Sequence, residues 1–295
     1  WFSIKMLTRR ITQLADGVRT VQSGDYSFRL TLSGNDELTE LGQEFNNLTE
    51  RLETTEAQRR RFVSDASHEL KTPLASIRLL SDSISQSADM DSAMMREFVA
   101  DIGSEAERLQ RTTEKLLDLS RRDDGVQPDV TIVDLQQAVH GTLHLLRPLA
   151  DQSGVTITCL MSEGVTVRAS EDDIYHIVFN LVENAIKYNL PGGDVTVRVE
   201  THGGQSVLSV ADTGIGIPEA DRPNIFNRFY RVDKARSREH GGSGLGLPIV
   251  HDAAALYGGT VAVDGVEPHG TRFTVTFPRA AADDAPEAQK EVPET

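Results

Sequence analysis

The sequence predicts a multidomain chain, with an all-α N-terminal part built on a dimeric four-helix-bundle hairpin and an α/β sandwich behind it. Three observations predict this. Through most of the first 122 positions apolar residues recur at alternating steps of three and four, the 3.5-residue period of a coiled-coil seam. From Pro128 onward the pattern changes to short β-like runs grouped around longer helical segments. The 295 residues, 38% hydrophobic and 25% charged, can supply packed cores, and that length suits two or three domains at about 100–150 residues each.

The first helix is marked by Ile4, Leu7, Ile11, Leu14, Val18 and Val21, and a second by Leu38, Leu41, Phe45, Leu48 and Leu52. Between them lie Ser23-Gly24-Asp25, an extended-looking Tyr26–Leu30, and the turn Ser33–Glu37, which opens the second helix on acidic residues. That helix continues without a stop signal into a new seam of Val63, Ala66, Leu70, Ile77, Leu80 and Ile84. The seam slips one place between Leu52 and Val63, a stutter that locally unwinds a supercoil and makes Thr54–Arg61 the candidate signalling joint. After a loop at Ser87–Asp91, a third helix places Phe98, Ile102, Ala106, Leu109, Leu116 and Leu119 on one face. The hairpin's apolar faces need more partners than one hairpin supplies, so dimerisation into a four-helix bundle is expected.

Beyond Pro128, strands are expected at Val155–Leu160, Val165–Ala169, Val195–Glu200, Val207–Ala211, Thr260–Val263 and Thr271–Pro278, with helices near 134–153, 170–189 and 244–257. The division is therefore 1–56, 57–125, 126–280 and an acidic tail, 281–295, whose Ala, Asp, Glu and Pro content predicts disorder.

Composition removes several functions. Asp and Glu number 45 against 30 Lys and Arg, a formal net charge of −15, which argues against nucleic acid as the main partner while leaving room for a small anion in a local basic pocket. Such an island exists in Arg228, Arg231, Lys234, Arg236 and Arg238. The single cysteine, Cys159, excludes a disulfide framework and a cysteine-based zinc site. No apolar run approaches the roughly 20 residues of a membrane span, but the opening Trp1-Phe2-Ser3-Ile4-Lys5 has the aromatic-then-cationic look of a span's cytoplasmic exit.

Four stretches carry chemistry. In Ser67-His68-Glu69-Leu70-Lys71-Thr72-Pro73, His68 lies off the apolar stripe and faces solvent, where an imidazole can attack phosphorus. Glu69 adjoins it as proton acceptor or orienter, and Thr72, one turn on, can position a water. In Asn180–Tyr188, the residues Asn180, Asn184, Lys187 and Tyr188 share a helix face. Amide oxygens there suit Mg²⁺ and the lysine suits phosphate. Asp212-Thr213-Gly214-Ile215-Gly216-Ile217-Pro218 follows a predicted strand. Its carboxylate can accept from an exocyclic amine such as that of adenine, and its glycines admit a flat ligand. Gly242-Ser243-Gly244-Leu245-Gly246-Leu247 opens a helix whose amides can meet phosphate, yet it is neither a Walker A loop nor a Rossmann fingerprint.

Residues 1–56 resemble the HAMP domain, a parallel dimeric four-helix signal relay, through Gly24-Asp25 after the first helix and Asp36-Glu37-Leu38 opening the second. In their order and spacing, the four stretches with Phe226–Arg231 and Gly270-Thr271-Arg272-Phe273 resemble the H, N, G1, G2, F and closing-strand motifs of bacterial two-component sensor histidine kinases. The resemblance covers about 1–280. It implies a dimerisation and histidine-phosphotransfer hairpin followed by an ATP-binding domain of the GHKL (Bergerat) type. His68 is then the phospho-acceptor, Glu69 its base or orienter, and Thr72 the residue of the reverse phosphatase reaction. Asn184 with Asn180 holds Mg²⁺ on ATP, Lys187 meets phosphate and Tyr188 lines the nucleotide. Asp212 reads adenine, flanked by Gly214, Gly216 and Ile217. Phe229, Arg231 and Arg238 belong to a lid at roughly 222–243, and Gly242, Gly244, Gly246 and Leu247 close it.

The implied partners are a second copy of the chain, a response-regulator receiver domain docking near Ser76, Leu79, Asp82 and Ser83, and a membrane reached through a preceding transmembrane segment. The chain is then the cytoplasmic portion of an inner-membrane protein. Two alternatives stand beside this reading: a GHKL-type ATPase doing conformational work, and a non-catalytic dimeric signalling adaptor.

Overall fold

A computed structural model describes residues 2–31, 33–87, 91–123, 128–233 and 243–280. The expected tail at 281–295, most of the 87–91 loop and the lid residues 234–242 lie outside the described residues. Contacts divide the chain into two units, Trp1–Thr72 and Pro73–Thr295.

In the first unit, helix α1 (Phe2–Gln22) connects to the start of α2 (Glu37–Gln86) through an irregular segment, not a strand. Side chains tie that connector down. Arg10, almost buried, forms a two-pronged ion pair with Asp36 and donates to Thr39 Oγ1 at 2.8 Å. The Arg10 guanidinium holds the Asp36 carboxyl well below the usual carboxylate range, helped by the Thr39 hydroxyl. Asn46 accepts from the Leu30 amide at 2.8 Å and donates to its carbonyl at 2.9 Å, completing both backbone bonds of a residue that no sheet pairs. Leu30 itself is buried against Gly17.

Helix α2 runs for 50 residues and stays helical through Thr54–Arg61, where the heptad slips. Pro73 lies inside it at the division between the units and is buried. Apolar seam residues Leu7, Ile11, Leu41, Leu48 and Val63 are exposed in the single chain, Val63 by 56%.

In the second unit, α3 (Ser92–Asp123) leads into β1 (Thr131–Asp134), α4 (Leu135–Ser153), β2 (Thr156–Met161), β3 (Thr166–Ala169), α5 (Glu171–Lys187), β4 (Asp194–His202), β5 (Gln205–Asp212), a 3₁₀ turn at Arg222–Asn224, α6 (Gly246–Leu256), β6 (Thr260–Gly265) and β7 (Thr271–Pro278). Five strands form one mixed sheet in the order β2-β4-β5-β7-β6, with β2 and β4 parallel and the other pairs antiparallel; β1 and β3 form a separate antiparallel pair. Strand β1 escapes sequence reading because four residues show no alternation.

Alternation sets the sheet's inner face. Val195, Val197 and Val199 pair with Asp212, Val210 and Leu208, and Val210 and Leu208 pair in turn with Phe273 and Val275. All of these are buried. Helix α5 covers them with Ile174, Ile177, Val178, Leu181, Val182 and Ile186, spaced at three and four. Helix α4 starts where the Asp134 side chain accepts from the amides of Gln136 and Gln137, and ends at Gly154 in the left-handed region. The result is the expected two-layer sandwich, and its open end is where the last turns of α5 meet the end of β5.

Candidate nucleotide site

Helix α5 sets one wall of the site. Glu183, Asn184, Lys187 and Tyr188 line a cavity that also takes in Asp212, Gly216, Ile217, Arg231, Gly244, Gly246 and Leu247. Ten of the residues expected from sequence thus meet in one place. The other expected residues lie elsewhere. Asn180, 3% exposed, sits behind the wall, with its amide donating to the His176 carbonyl at 2.8 Å; its Oδ1 is buried without a hydrogen-bond partner among the described residues. Gly214 is buried under Asp212. Phe229, in the left-handed region at φ 63°, closes the base of the lid segment by donating its amide to the Gly244 carbonyl at 2.9 Å. Arg238 and Gly242 lie outside the described residues.

Asp212 ends β5 and is 8% exposed. Its Oδ1 accepts from the amides of Gly214 at 2.8 Å and Thr271 at 3.2 Å, which leaves Oδ2 for the cavity. Burial raises the Asp212 carboxyl above the usual carboxylate range, with the two amides pulling back the other way. The backbone below it is crowded. A Cβ at Gly214 would run into the Tyr188 carbonyl oxygen, and one at Gly270, where φ is +134°, into the Asp212 carbonyl oxygen. Only glycine fits either position.

The charged wall is organised around a residue that sequence reading passed over. Glu183 accepts from Lys187 Nζ at 2.8 Å and lies 3.8 Å from Lys115 Nζ of α3. Burial pushes the Glu183 carboxyl up, but the two lysines outweigh it and the net shift is downward; burial likewise pushes the Lys115 ammonium down. Glu183 could have been noticed from its i, i+4 spacing to Lys187. Lys115 carries no sequence signal, because 68 positions separate it from Glu183. Tyr230, also on the cavity, donates to Asp221 Oδ1 at 2.5 Å and anchors the stem of the lid.

In the first unit, His68 is exposed on α2, as expected, and Glu69 beside it is half-buried. The Thr72 hydroxyl donates back to the His68 carbonyl at 3.2 Å, which leaves its oxygen free to accept from a water.

Three family profiles match in series: the HAMP domain at 2–54, the His Kinase A phospho-acceptor domain at 58–125, and the histidine kinase-, DNA gyrase B- and HSP90-like ATPase at 169–281. The chain belongs to the sensor histidine kinases. The chain is 38% identical over 224 residues to the sensor-like histidine kinase SenX3 of Mycolicibacterium smegmatis, covering 76% of this chain and 58% of the relative. It is 33% identical to the sensor histidine kinase YkoH of Bacillus subtilis, covering 94% and 62%. It is 30% identical to the signal transduction histidine-protein kinase ArlS of Staphylococcus aureus, covering 92% and 60%. The chain thus spans about three fifths of the length of these relatives.

Among solved structures, the chain superposes on the Acinetobacter baumannii histidine kinase AdeS with a TM-score of 0.58 at 21% identity, covering 72% of this chain and 98% of that one, a likeness of fold. It superposes on full-length ShkA in complex with AMPPNP with a TM-score of 0.56 at 27% identity, covering 76% and 46%. No described helix is long and apolar enough to cross a membrane.

Proposed function

We propose that the chain transfers the γ-phosphoryl group of ATP to His68 and then to an aspartate of a response regulator. The observation that carries this reading is the cavity itself. A buried carboxylate with one oxygen committed to backbone and one left over faces a wall of Asn184, Lys187 and Arg231, and the same chain presents an exposed histidine on a helix. The AMPPNP complex of ShkA supports nucleotide as the ligand.

Asp212 Oδ2 accepts from the adenine amine, and Tyr188 and Ile217 contact the base. Lys187 and Arg231 neutralise the phosphates and hold them in place, so catalysis is mainly positioning and electrostatics. Of the two amides, Asn184 offers Mg²⁺ an oxygen in the cavity, whereas Asn180, with its Oδ1 buried behind the wall, does not line it. When bound, Mg²⁺ supplies charge neutralisation on the transferring phosphate. The unprotonated ring nitrogen of His68 attacks the γ-phosphorus, the N–P bond forms as the bond to the β,γ-bridging oxygen breaks, and ADP leaves. Glu69 orients the ring or takes its other proton.

Phosphohistidine then gives its phosphoryl group to a carboxylate of the regulator, and Thr72 serves the reverse dephosphorylation. The exposed seam residues of α1 and α2 are covered by a second copy in a homodimer. Because ATP and the regulator are cytoplasmic, the site belongs on the cytoplasmic side of the membrane.

The test is incubation of the purified chain with γ-labelled ATP and Mg²⁺ beside His68→Gln. Acid-labile, base-stable label on the wild type alone is the expected result. ATP turnover without protein label overturns the reading in favour of an ATPase doing conformational work.

A further inference from the structure

We propose that Lys115, contributed by α3 of the helical hairpin, is a ligand of the nucleotide phosphates, an inference that rests on reading the cavity as a nucleotide site. Lys115 lines the same cavity as Asn184, Lys187 and Asp212 although it belongs to a different part of the chain. Its ammonium is mostly covered, with 26% of the side chain exposed against 24% for Lys187 and 12% for Glu183.

The three charges are unevenly shared. Lys187 holds Glu183 at hydrogen-bond distance, 2.8 Å, whereas Lys115 stands at 3.8 Å, the range of a looser ion pair. One carboxylate therefore serves two ammonium groups, and Arg111 adds a further positive field to both Lys115 and Glu183. A mostly covered lysine with a half-share of a carboxylate gains from any anion that reaches it. Burial also pushes the Lys115 pKa down, the sense expected of a cation short of counter-charge.

Position along α5 identifies which part of a nucleotide reaches Lys115. The Tyr188 carbonyl accepts from the Ile215 amide in the Asp212 loop at 3.1 Å, so the C-terminal end of α5 is the base end. Glu183 lies five residues earlier, about 7.5 Å along the axis, beside Asn184 on the phosphate wall. Lys115 thus addresses phosphate and not adenine. Bound ATP would then bridge the catalytic domain and the hairpin, so nucleotide occupancy itself helps hold the two together.

The experiment is calorimetric titration of the chain with MgATP and, separately, with adenosine, comparing wild type, Lys115→Met, Lys115→Arg and Glu183→Gln. Lys115→Met should weaken MgATP binding about tenfold, the size of one charge-assisted hydrogen bond, and leave adenosine binding unchanged. Lys115→Arg should restore MgATP affinity to within about twofold. Glu183→Gln removes the competing carboxylate and should tighten MgATP binding. The inference is overturned if Lys115→Met binds MgATP like wild type. It is equally overturned if Lys115→Met weakens adenosine as much as ATP, or if Lys115→Met and Glu183→Gln weaken MgATP alike, since those results mark a structural clamp. Failure of the wild type to bind MgATP while still folded would remove the nucleotide-site reading, and this inference with it.

Discussion

Replacing Asp212 with Asn should separate ligand recognition from folding. In the wild type, Oδ1 holds two backbone amides, at 2.8 and 3.2 Å, and Oδ2 is left for the ligand. An Asn side chain keeps both amides only by presenting its carbonyl oxygen to them, which turns its NH₂ toward the adenine amine. An acceptor becomes a donor facing a donor. The loss is that of a hydrogen bond to a charged group, about 2–3 kcal/mol, or about 30–150-fold in Kd for ATP. Stability should move little. Burial raises the folded-state pKa of Asp212, so its favourable contribution is present below the unfolded carboxylate pKa and is lost as pH rises through the folded value. At neutral pH the ionised group therefore works against folding, and Asn removes that charge. Calorimetry with ATP and adenosine, paired with thermal melts, is the assay. A melting point within about 3 °C of wild type is expected. Adenosine binding within about threefold of wild type would refute the assigned role of Asp212, and a collapsed melting point would refute the claim that Asn keeps both backbone bonds.

Other variants probe the frame around the site. A Cβ at Gly246 would lie 2.7 Å from Asn180 Oδ1, so Gly246→Ala should cost about 1–3 kcal/mol in denaturant unfolding and weaken ATP binding. Gly141 lies within helix α4 with nothing within 4 Å of its would-be Cβ, and Gly141→Ala should stabilise by about 0.4–1 kcal/mol in the same assay. Leu119 is fully buried in α3, so Leu119→Ala should lower stability by about 2–5 kcal/mol. Asp36→Asn breaks the Arg10 pair and should speed proteolysis of the 23–36 connector at neutral pH. Since the Asp36 pKa is depressed in the folded state, the difference from wild type should persist above the ordinary carboxylate range and narrow only below it, as the wild-type carboxyl also takes up its proton.

Local signals placed most of the elements. Short β-like runs located β2 through β7 to within a few residues, and the lack of any stop signal after Leu52 anticipated one long α2. Pairing was not legible. Nothing local says that β2 lies parallel beside β4, because β3 and α5 intervene and the pairing is set by how α4 and α5 cover the sheet. The site divides the same way. Spacing treats Asn180 and Asn184 as equivalent, yet one lies behind the wall with Gly246 against its Oδ1 and the other faces the cavity. Glu183 was half-legible from Lys187, whereas Lys115 came into view only when α3 was laid against α5.

The crowded backbone beneath Asp212 bears on pharmacology. Side chains at Gly214 and Gly270 would strike carbonyl oxygens, so this buried backbone has almost no substitutions available to it that leave the fold standing. A competitive inhibitor drawing its contacts from Asp212, which that main chain holds in the cavity wall, would leave the cell few single-step routes to resistance. One leaning on Val232, an exposed side chain at the cavity to which no role is assigned, would be evaded far more easily.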